Sequence, residues 1–505
     1  MSYASFSFWI FFFAVLAPYW RLGHRAQNRW MLAASYVFYG FWDYRFLYLI
    51  LISTVIDYIG GLGVAGVQLP RAKLRRLGAG MAAASAILTS HVGWGAVWRG
   101  LVSGNAGTIA GALPRHLADF AVPLGTLAAV VVYGRALPTL YALPEERRRK
   151  AFLTISMVAN LAILAFFKYF DFFASGLTSL LGALGLHARV GMLGLILPAG
   201  ISFYTFQAMS YTIDIYRKQC EPTDDFLDFA LFVCFFPHLV AGPIMRAHTL
   251  LPQVLKRRTL TLEQAREGAL LIAIGLAKKI VIADNMALVA NSVFFRFEDG
   301  TAAGVTGPEA LVGLYAFALQ IYGDFSGYSS IARGLSKFFG YDLVINFDLP
   351  YFAQSPSDFW KRWHISLSSW LRDYLYIPLG GNRHGVVKQY RNLVITMLLG
   401  GLWHGASWTF VAWGLYHGIL LTVFRVLGIS DEVRGEGAGA TARRVLRVVV
   451  MFHLTCLGWL LFRAATFRAA AAMFARIVTN FHVTPNTIAG LLYIALLAGP
   501  LTLLE

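Results

Sequence analysis

The chain has 505 residues, of which 57% are apolar and 14% charged. That balance excludes a disordered or ordinary soluble protein and points to a polytopic membrane protein. The net charge of +17 does not mark a nucleic-acid binder: the basic residues are scattered among loops between apolar runs, as the positive-inside rule and anionic membrane lipid would have it.

In chain order, apolar stretches recur near 5–20, 30–42, 45–67, 81–98, 118–140, 151–167, 187–210, 228–245, 268–295, 310–335, 393–423, 445–462 and 487–504. A spanning helix needs about 20 apolar residues, and some of these fall short. The expected fold is therefore all-α, with about ten to thirteen transmembrane or re-entrant helices around a central tunnel, in a single membrane domain over residues 1–505. The first stretch lacks a basic leading region and a small-residue cleavage site, so it reads as a retained span. The clusters Arg21/Arg25/Arg29, Arg71/Lys73/Arg75/Arg76, Arg147–Lys150 and Lys256–Arg258 mark the cytoplasmic side. If 81–98 and 118–140 both span, the crossings between the first three clusters are even in number, and the N-terminus lies outside the cytoplasm. Cys220, Cys234 and Cys456 are too widely spaced for a disulfide framework or a zinc site and read as packing residues.

Thr261-Leu262-Glu263-Gln264 matches a capping box opening the next helix. Lys278 and Lys279, further along it, are expected to snorkel to the headgroups. Ser355-Pro356-Ser357-Asp358 supplies an N-cap, a proline at the first helical position and an acid at the third. Trp360, Trp363, His364, Leu367, Trp370, Leu371 and Tyr374 then recur at helical spacing, and Pro378 with Gly380-Gly381 ends the pattern. This is one short helix with a charged face, lying at the membrane surface or lining a cavity. The Gly-rich loop 428–444 carries no readable chemistry.

His404 stands out. It falls inside the apolar run 393–423, read as one spanning helix, and a rise of about 1.5 Å per residue from Arg391 puts it roughly 20 Å deep. An ionisable group at that depth marks a substrate path or catalytic site, unless it merely bonds between helices. Gly400, Gly401, Gly405 and Ala406 around it serve either close helix packing, the commoner use of small residues in membrane helices, or a narrow passage, which only the resemblance given below favours. His417 is about 220° round such a helix from His404 and is expected to pack elsewhere. His238, beside Pro237, reads as satisfying a broken helix, and Asp324 as a buried polar partner, its Gly323–Gly327 setting lacking nucleophile-elbow spacing. No histidine pair has metal-binding spacing, so no metal is expected.

The segments 197–204, 213–217, 236–243, 275–285, 324–329, 357–383, 398–406 and 458–464 closely resemble the membrane-bound O-acyltransferase superfamily, and within it the bacterial alginate O-acetylation branch. The resemblance covers about residues 150–465. It implies that His404, in Trp403-His404-Gly405, is catalytic and that His364, in Arg362-Trp363-His364-Ile365-Ser366, is its companion. Trp360, Trp363, Asp324 and Trp403 would line a substrate tunnel. It also implies an acyl thioester donor such as acetyl-CoA or an acyl carrier, no tightly bound cofactor, a bacterial inner-membrane location, and a periplasmic acetyltransferase or polysaccharide-secretion partner. The chain departs from the pattern at about 77–146, where two extra apolar segments intervene.

Acyl transfer from a thioester to a hydroxyl needs a base and protection from water, and an imidazole with its ordinary pKa of about 6.5 suits the first need. Whether an acyl-histidine forms or the ring acts only as base stays open. The acceptor is also open: alginate, cellulose, peptidoglycan or a teichoic acid. Other classes are a transporter, which would show internal repeats and paired intramembrane charges, and a structural subunit of an export complex, in which both histidines would tolerate alanine.

Overall fold

The computed structural model describes residues 3–114, 116–186 and 190–504, and every regular element among them is helical. Five stretches are long and apolar enough to cross a bilayer: His24–Ala65, Ala118–Tyr141, Glu145–Ala183, Trp408–Val426 and Ala438–Arg463. Phe6–Tyr19 and Pro485–Gly499 are shorter apolar helices. The protein is an all-α, multi-pass membrane protein.

Internal contacts divide the chain into two compact units. The first comprises Met1–Phe167, Gly194–Val240 and Ile244–Thr259; the second comprises Lys168–Leu193, Ala241–Pro243 and Leu260–Glu505. In the first unit Asp57 is fully buried in the Leu47–Ala65 helix. Its carboxylate accepts from Ser156, from Thr212 Oγ1 (3.0 Å) and from Asn160 Nδ2 (2.7 Å), so three neighbours supply the bonds that hydrocarbon cannot. His238 Nε2 bonds Gln207 Oε1 at 2.7 Å, and the Gln207 amide donates to the Phe232 carbonyl near the end of the Phe226–Cys234 helix, so the histidine reaches that helix end through Gln207.

Over residues 77–146 the helices Arg71–Thr89 and Ala121–Tyr141 pair, with short helices Trp94–Ser103 and Ala106–Gly111 between them. The 81–98 stretch is thus not one segment. Thr89 and Ser90 bond back to the carbonyls of Ser85 and Ala86, and His91 adopts a left-handed φ of 57°, ending the helix there.

The second unit is built on the 32-residue helix Gly307–Phe338. Thr306 and Glu309 cap it reciprocally, at 3.4 and 3.1 Å. The expected Thr261–Gln264 box likewise opens Leu262–Leu276, at 3.2 and 3.0 Å. These two helices touch through glycines: a Cβ on Gly275 would lie 2.7 Å from the Gly327 carbonyl, and one on Gly268 2.9 Å from that of Gly334. A π-helical turn, Ala277–Ala283, follows. It swings the two lysines inward, correcting the expectation of snorkelling. Lys278 is buried with its ammonium 5.4 Å from the centre of the Tyr322 ring, and Lys279 Nζ lies 2.6 Å from both Asp284 Oδ1 and Asp324 Oδ1.

The largest correction concerns the 393–423 run. It is a hairpin of two helices, Val386–His404 and Trp408–Val426, with an extended Gly405 (φ −165°, ψ 153°) just after the histidine. Gly401 packs on Gly414 and Val394 on Gly418, an antiparallel register. A Cβ on Gly401 would meet the Gly414 nitrogen at 2.9 Å, and one on Gly405 would strike the Phe410 ring. The glycines therefore serve close helix packing and not a passage. Replacing Gly401 by Val is expected to cost about 1–3 kcal/mol of stability by overpacking. Gly176→Ala, in a helix with nothing within 4 Å of the added Cβ, should change the thermal unfolding midpoint in detergent far less. Equal midpoints for both variants would refute the tight-hairpin account.

Candidate active site

The site is assembled in the second unit from four pieces of chain. Phe317, Gln320, Ile321, Asp324, Phe325 and Tyr328, at three- and four-residue steps along the Gly307–Phe338 helix, form one wall of a cavity of about 360 Å³. Trp363, His404, Trp459 and Phe462 form the rest. A cavity of that size, mostly aromatic with a few polar groups, suits a small ligand.

His404 ends its helix on this cavity and is not sealed from it. Its ring is held edge-on by aromatic faces, with centroids 5.0 Å from Trp413 and 5.4 Å from Phe462. The carbonyls at its helix end are covered: Tyr169 OH donates to Leu402 O at 2.9 Å and Lys168 Nζ to Trp403 O. A cation at a helix C-terminus is favourable.

His364 lies 6.4 Å from His404, centroid to centroid, so the structure brings the two histidines together across forty residues of sequence. It is buried and does not line the cavity; Phe325 stands against it at 4.6 Å. The single helix expected over this region is in fact two, Pro356–Arg362 and Ile365–Leu371, followed by a π-helical turn Arg372–Tyr376. Ser355 caps the first as expected, accepting from Asp358 N at 3.0 Å. The break is at His364, whose backbone is left-handed (φ 45°, ψ 53°). Such a conformation costs of order 1–3 kcal/mol in a non-glycine residue and persists only where its surroundings fix it.

Asn346 fixes it. The N–H of Ile365 donates to the Asn346 carbonyl (2.9 Å). The Ser366 N–H (3.2 Å) and hydroxyl (2.9 Å) donate to Asn346 Oδ1, while Asn346 Nδ2 donates to Ser329 Oγ (3.2 Å). Since Oδ1 is thereby the acceptor, His364 Nδ1, 3.1 Å away, carries the proton in the neutral ring, and Nε2 carries the lone pair. Sequence reading missed Asn346. A lone polar residue between Ile345 and Phe347 was the available signal.

Of the expected tunnel residues, Asp324 and Trp363 line the cavity; Trp360 and Trp403 do not. Trp360 packs edge-to-face against Trp413 and His417, and Trp403 sits beside His364 at 6.0 Å with the Lys168 ammonium over its ring. Asp324 is both a structural partner, through Lys279, and a cavity carboxylate. His417 is fully buried and shares Trp413 with His404, at 5.0 Å from that ring, so it belongs to the same aromatic cluster.

Residues 223–428 match the family model of the membrane-bound O-acyltransferases. The chain is 35% identical over 459 residues to the probable alginate O-acetylase AlgI of Pseudomonas aeruginosa, covering 91% of this chain and 71% of that one. It is 42% identical over 354 residues to the protein of the same name from Azotobacter vinelandii, covering 70% and 68%. With the peptidoglycan O-acetyltransferase of Helicobacter pylori it shares 37% over 375 residues, covering 69% and 68%. The chain belongs to the membrane-bound O-acyltransferase family. It is an acyltransferase, and its substrate includes an acyl donor.

In this O-acyltransferase the Gly-rich loop that carried no readable chemistry is a strap on the His364 segment. Asp431 accepts from Ser355 Oγ (3.2 Å), Ser357 Oγ (3.1 Å) and Lys361 Nζ (2.6 Å), and Val433 N donates to Gln354 Oε1 (3.0 Å). Partial burial pushes the Asp431 carboxyl up, but the Lys361 ammonium and the two serines outweigh it and hold it below its ordinary value. A carboxyl held low stabilises the fold above its unfolded pKa of about 4, and that contribution is lost as pH falls through the folded value. The thermal midpoint should thus drop between about pH 5 and 3, and drop less in Asp431→Asn. The same slope in both proteins would remove the strap from the account.

Proposed function

We propose that this membrane O-acyltransferase takes an acetyl group from a cytoplasmic thioester, most simply acetyl-CoA, and delivers it across the bacterial inner membrane for O-acetylation of an alginate-type exopolysaccharide through a periplasmic partner. The N-terminus lies on the periplasmic side in this reading, with Arg71–Thr89, in place of 81–98, and Ala121–Tyr141 as the paired crossings. The observation that carries it is an imidazole, His404, presented to an aromatic cavity that a carboxylate, Asp324, also lines, at the end of a helix long enough to bring it deep into the bilayer.

His404 is the catalytic residue in this proposal. The acceptor hydroxyl oxygen attacks the thioester carbonyl as the imidazole takes the hydroxyl proton. The C–S bond then breaks, and the imidazolium returns the proton to the departing thiolate. The aromatic walls exclude water that would hydrolyse the thioester. His364, held by Asn346 with its lone pair on Nε2, is the companion of His404: it stands outside the cavity against Phe325, 6.4 Å from the His404 ring, and positions that ring. Trp363 and Asp324 shape the cavity, and Trp360 and Trp403 support it. The Azotobacter and Pseudomonas relatives favour alginate as acceptor; the Helicobacter relative keeps peptidoglycan as the second reading.

The test uses purified full-length protein, radiolabelled acetyl-CoA, oligomannuronate as the final hydroxyl acceptor, and a periplasmic fraction that supplies the partner. Loss of a general base costs about 10²–10⁴-fold, so His404→Ala should lower transfer by about 100-fold or more, with thermal unfolding unchanged. His364→Ala and Asn346→Ala should lower it together and by similar factors, since they disable one hydrogen-bonded unit. Full transfer by a folded His404→Ala variant would refute the assignment. Transfer to peptidoglycan glycan but not to mannuronate would replace the acceptor and keep the chemistry.

A further inference from the structure

The region 77–146 plays no part in the chemistry above. Its two long helices line a cavity of about 720 Å³ in the first unit. We propose that this trough binds one anionic glycerophospholipid, with its phosphate against Arg71 and Arg75 and one acyl chain along the Arg71–Thr89 helix.

Arg71 and Arg75 lie one turn apart on that helix and both line the cavity, with Gln68 beside them. Both side chains are exposed, and neither has an ion-pair partner among the described residues. No aspartate or glutamate lines the cavity, so the mouth is purely cationic. Beyond the arginines the lining turns apolar: Leu74, Leu127, Val130 and Leu137. A second cavity of about 200 Å³ continues it, sharing Leu74, Gly78, Val130, Gly134 and Leu137 and reaching Met81.

From Arg71 to Met81 is about 15 Å at 1.5 Å per residue. That is the depth of one leaflet of a hydrocarbon core about 30 Å thick, so the length fits a single acyl chain. The two helices cannot close on the trough. Gly78 already touches Val130, where an added Cβ would lie 2.8 Å from a methyl, and Ser85 Oγ is bonded to Thr126 Oγ1 at 3.0 Å. Gly134, which lines both cavities, has open space where its Cβ would be. A cationic mouth over an apolar trough of leaflet depth is complementary to an anionic lipid and not to a zwitterionic one.

The full-length protein, delipidated in maltoside detergent, is titrated with dioleoyl phosphatidylglycerol or dioleoyl phosphatidylcholine, and bound lipid is counted by native mass spectrometry. Each basic residue near an anionic headgroup is worth about 1 kcal/mol. One phosphatidylglycerol should therefore bind about thirtyfold more tightly than phosphatidylcholine, and the preference should vanish in the Arg71→Gln/Arg75→Gln double variant. Gly134→Phe, filling open space in the trough, should abolish that bound lipid while the arginines remain. The double variant changes only exposed side chains, so it tests the site whether or not Gly134→Phe folds. Equal binding of the two lipids to the unmodified protein would overturn the proposal, as would an unchanged preference in the double variant.

Discussion

The approach of Gly401 to Gly414 is the contact on which the geometry of the site rests. With no side chain on either residue, the two arms of the 386–426 hairpin come together backbone to backbone. Apolar side chains gain little by leaving lipid for one another, so such packing is what holds helices together in a bilayer. The contact sits one turn before His404, and the turn after it is closed by Gly405 under the Phe410 ring. The histidine is thereby committed to the tip, facing the wall supplied by the Gly307–Phe338 helix. That wall is itself seated by glycine contacts at Gly327 and Gly334. Both faces of the cavity are placed by the absence of side chains elsewhere.

His364 is placed by the opposite device, a concentration of polar bonds. A single amide, Asn346, receives two backbone N–H groups of the next helix through its carbonyl and side-chain oxygens, and receives the imidazole as well. It thereby supplies from outside the helix the capping that His364 cannot give itself. These bonds offset the left-handed backbone and set the tautomer together, so strain and function have one cause. The strap at Asp431 restrains the preceding helix from its other end.

The sequence made the class of the protein legible because burial in lipid leaves a compositional trace. The capping boxes at Thr261 and Thr306 and the N-cap at Ser355 are local, and the first and last were readable as such. What the sequence hid was where helices stop. The run 393–423 is apolar throughout, and periodicity cannot distinguish one span from two arms of a hairpin when the turn is Gly405-Ala406-Ser407. The stripe from Trp360 to Tyr374 keeps helical spacing through a break enforced by Asn346, which is distant in sequence. The pairing of His364 with His404 was legible only by resemblance. Lys168, Asp57 and Asn346 were overlooked because each is a single polar residue whose meaning lies in partners far along the chain.

The helix ending at His404 sets how the gene can vary in length. Each residue added or removed between Val386 and His404 would turn the imidazole by about 100° and slide it by about 1.5 Å, taking it off the cavity wall. That stretch can drift in spelling but not in length. Residues 77–146 belong to another compact unit and shift nothing in this count. Insertions and deletions among homologous genes should accordingly crowd into the early third of the reading frame and leave the hairpin arms untouched.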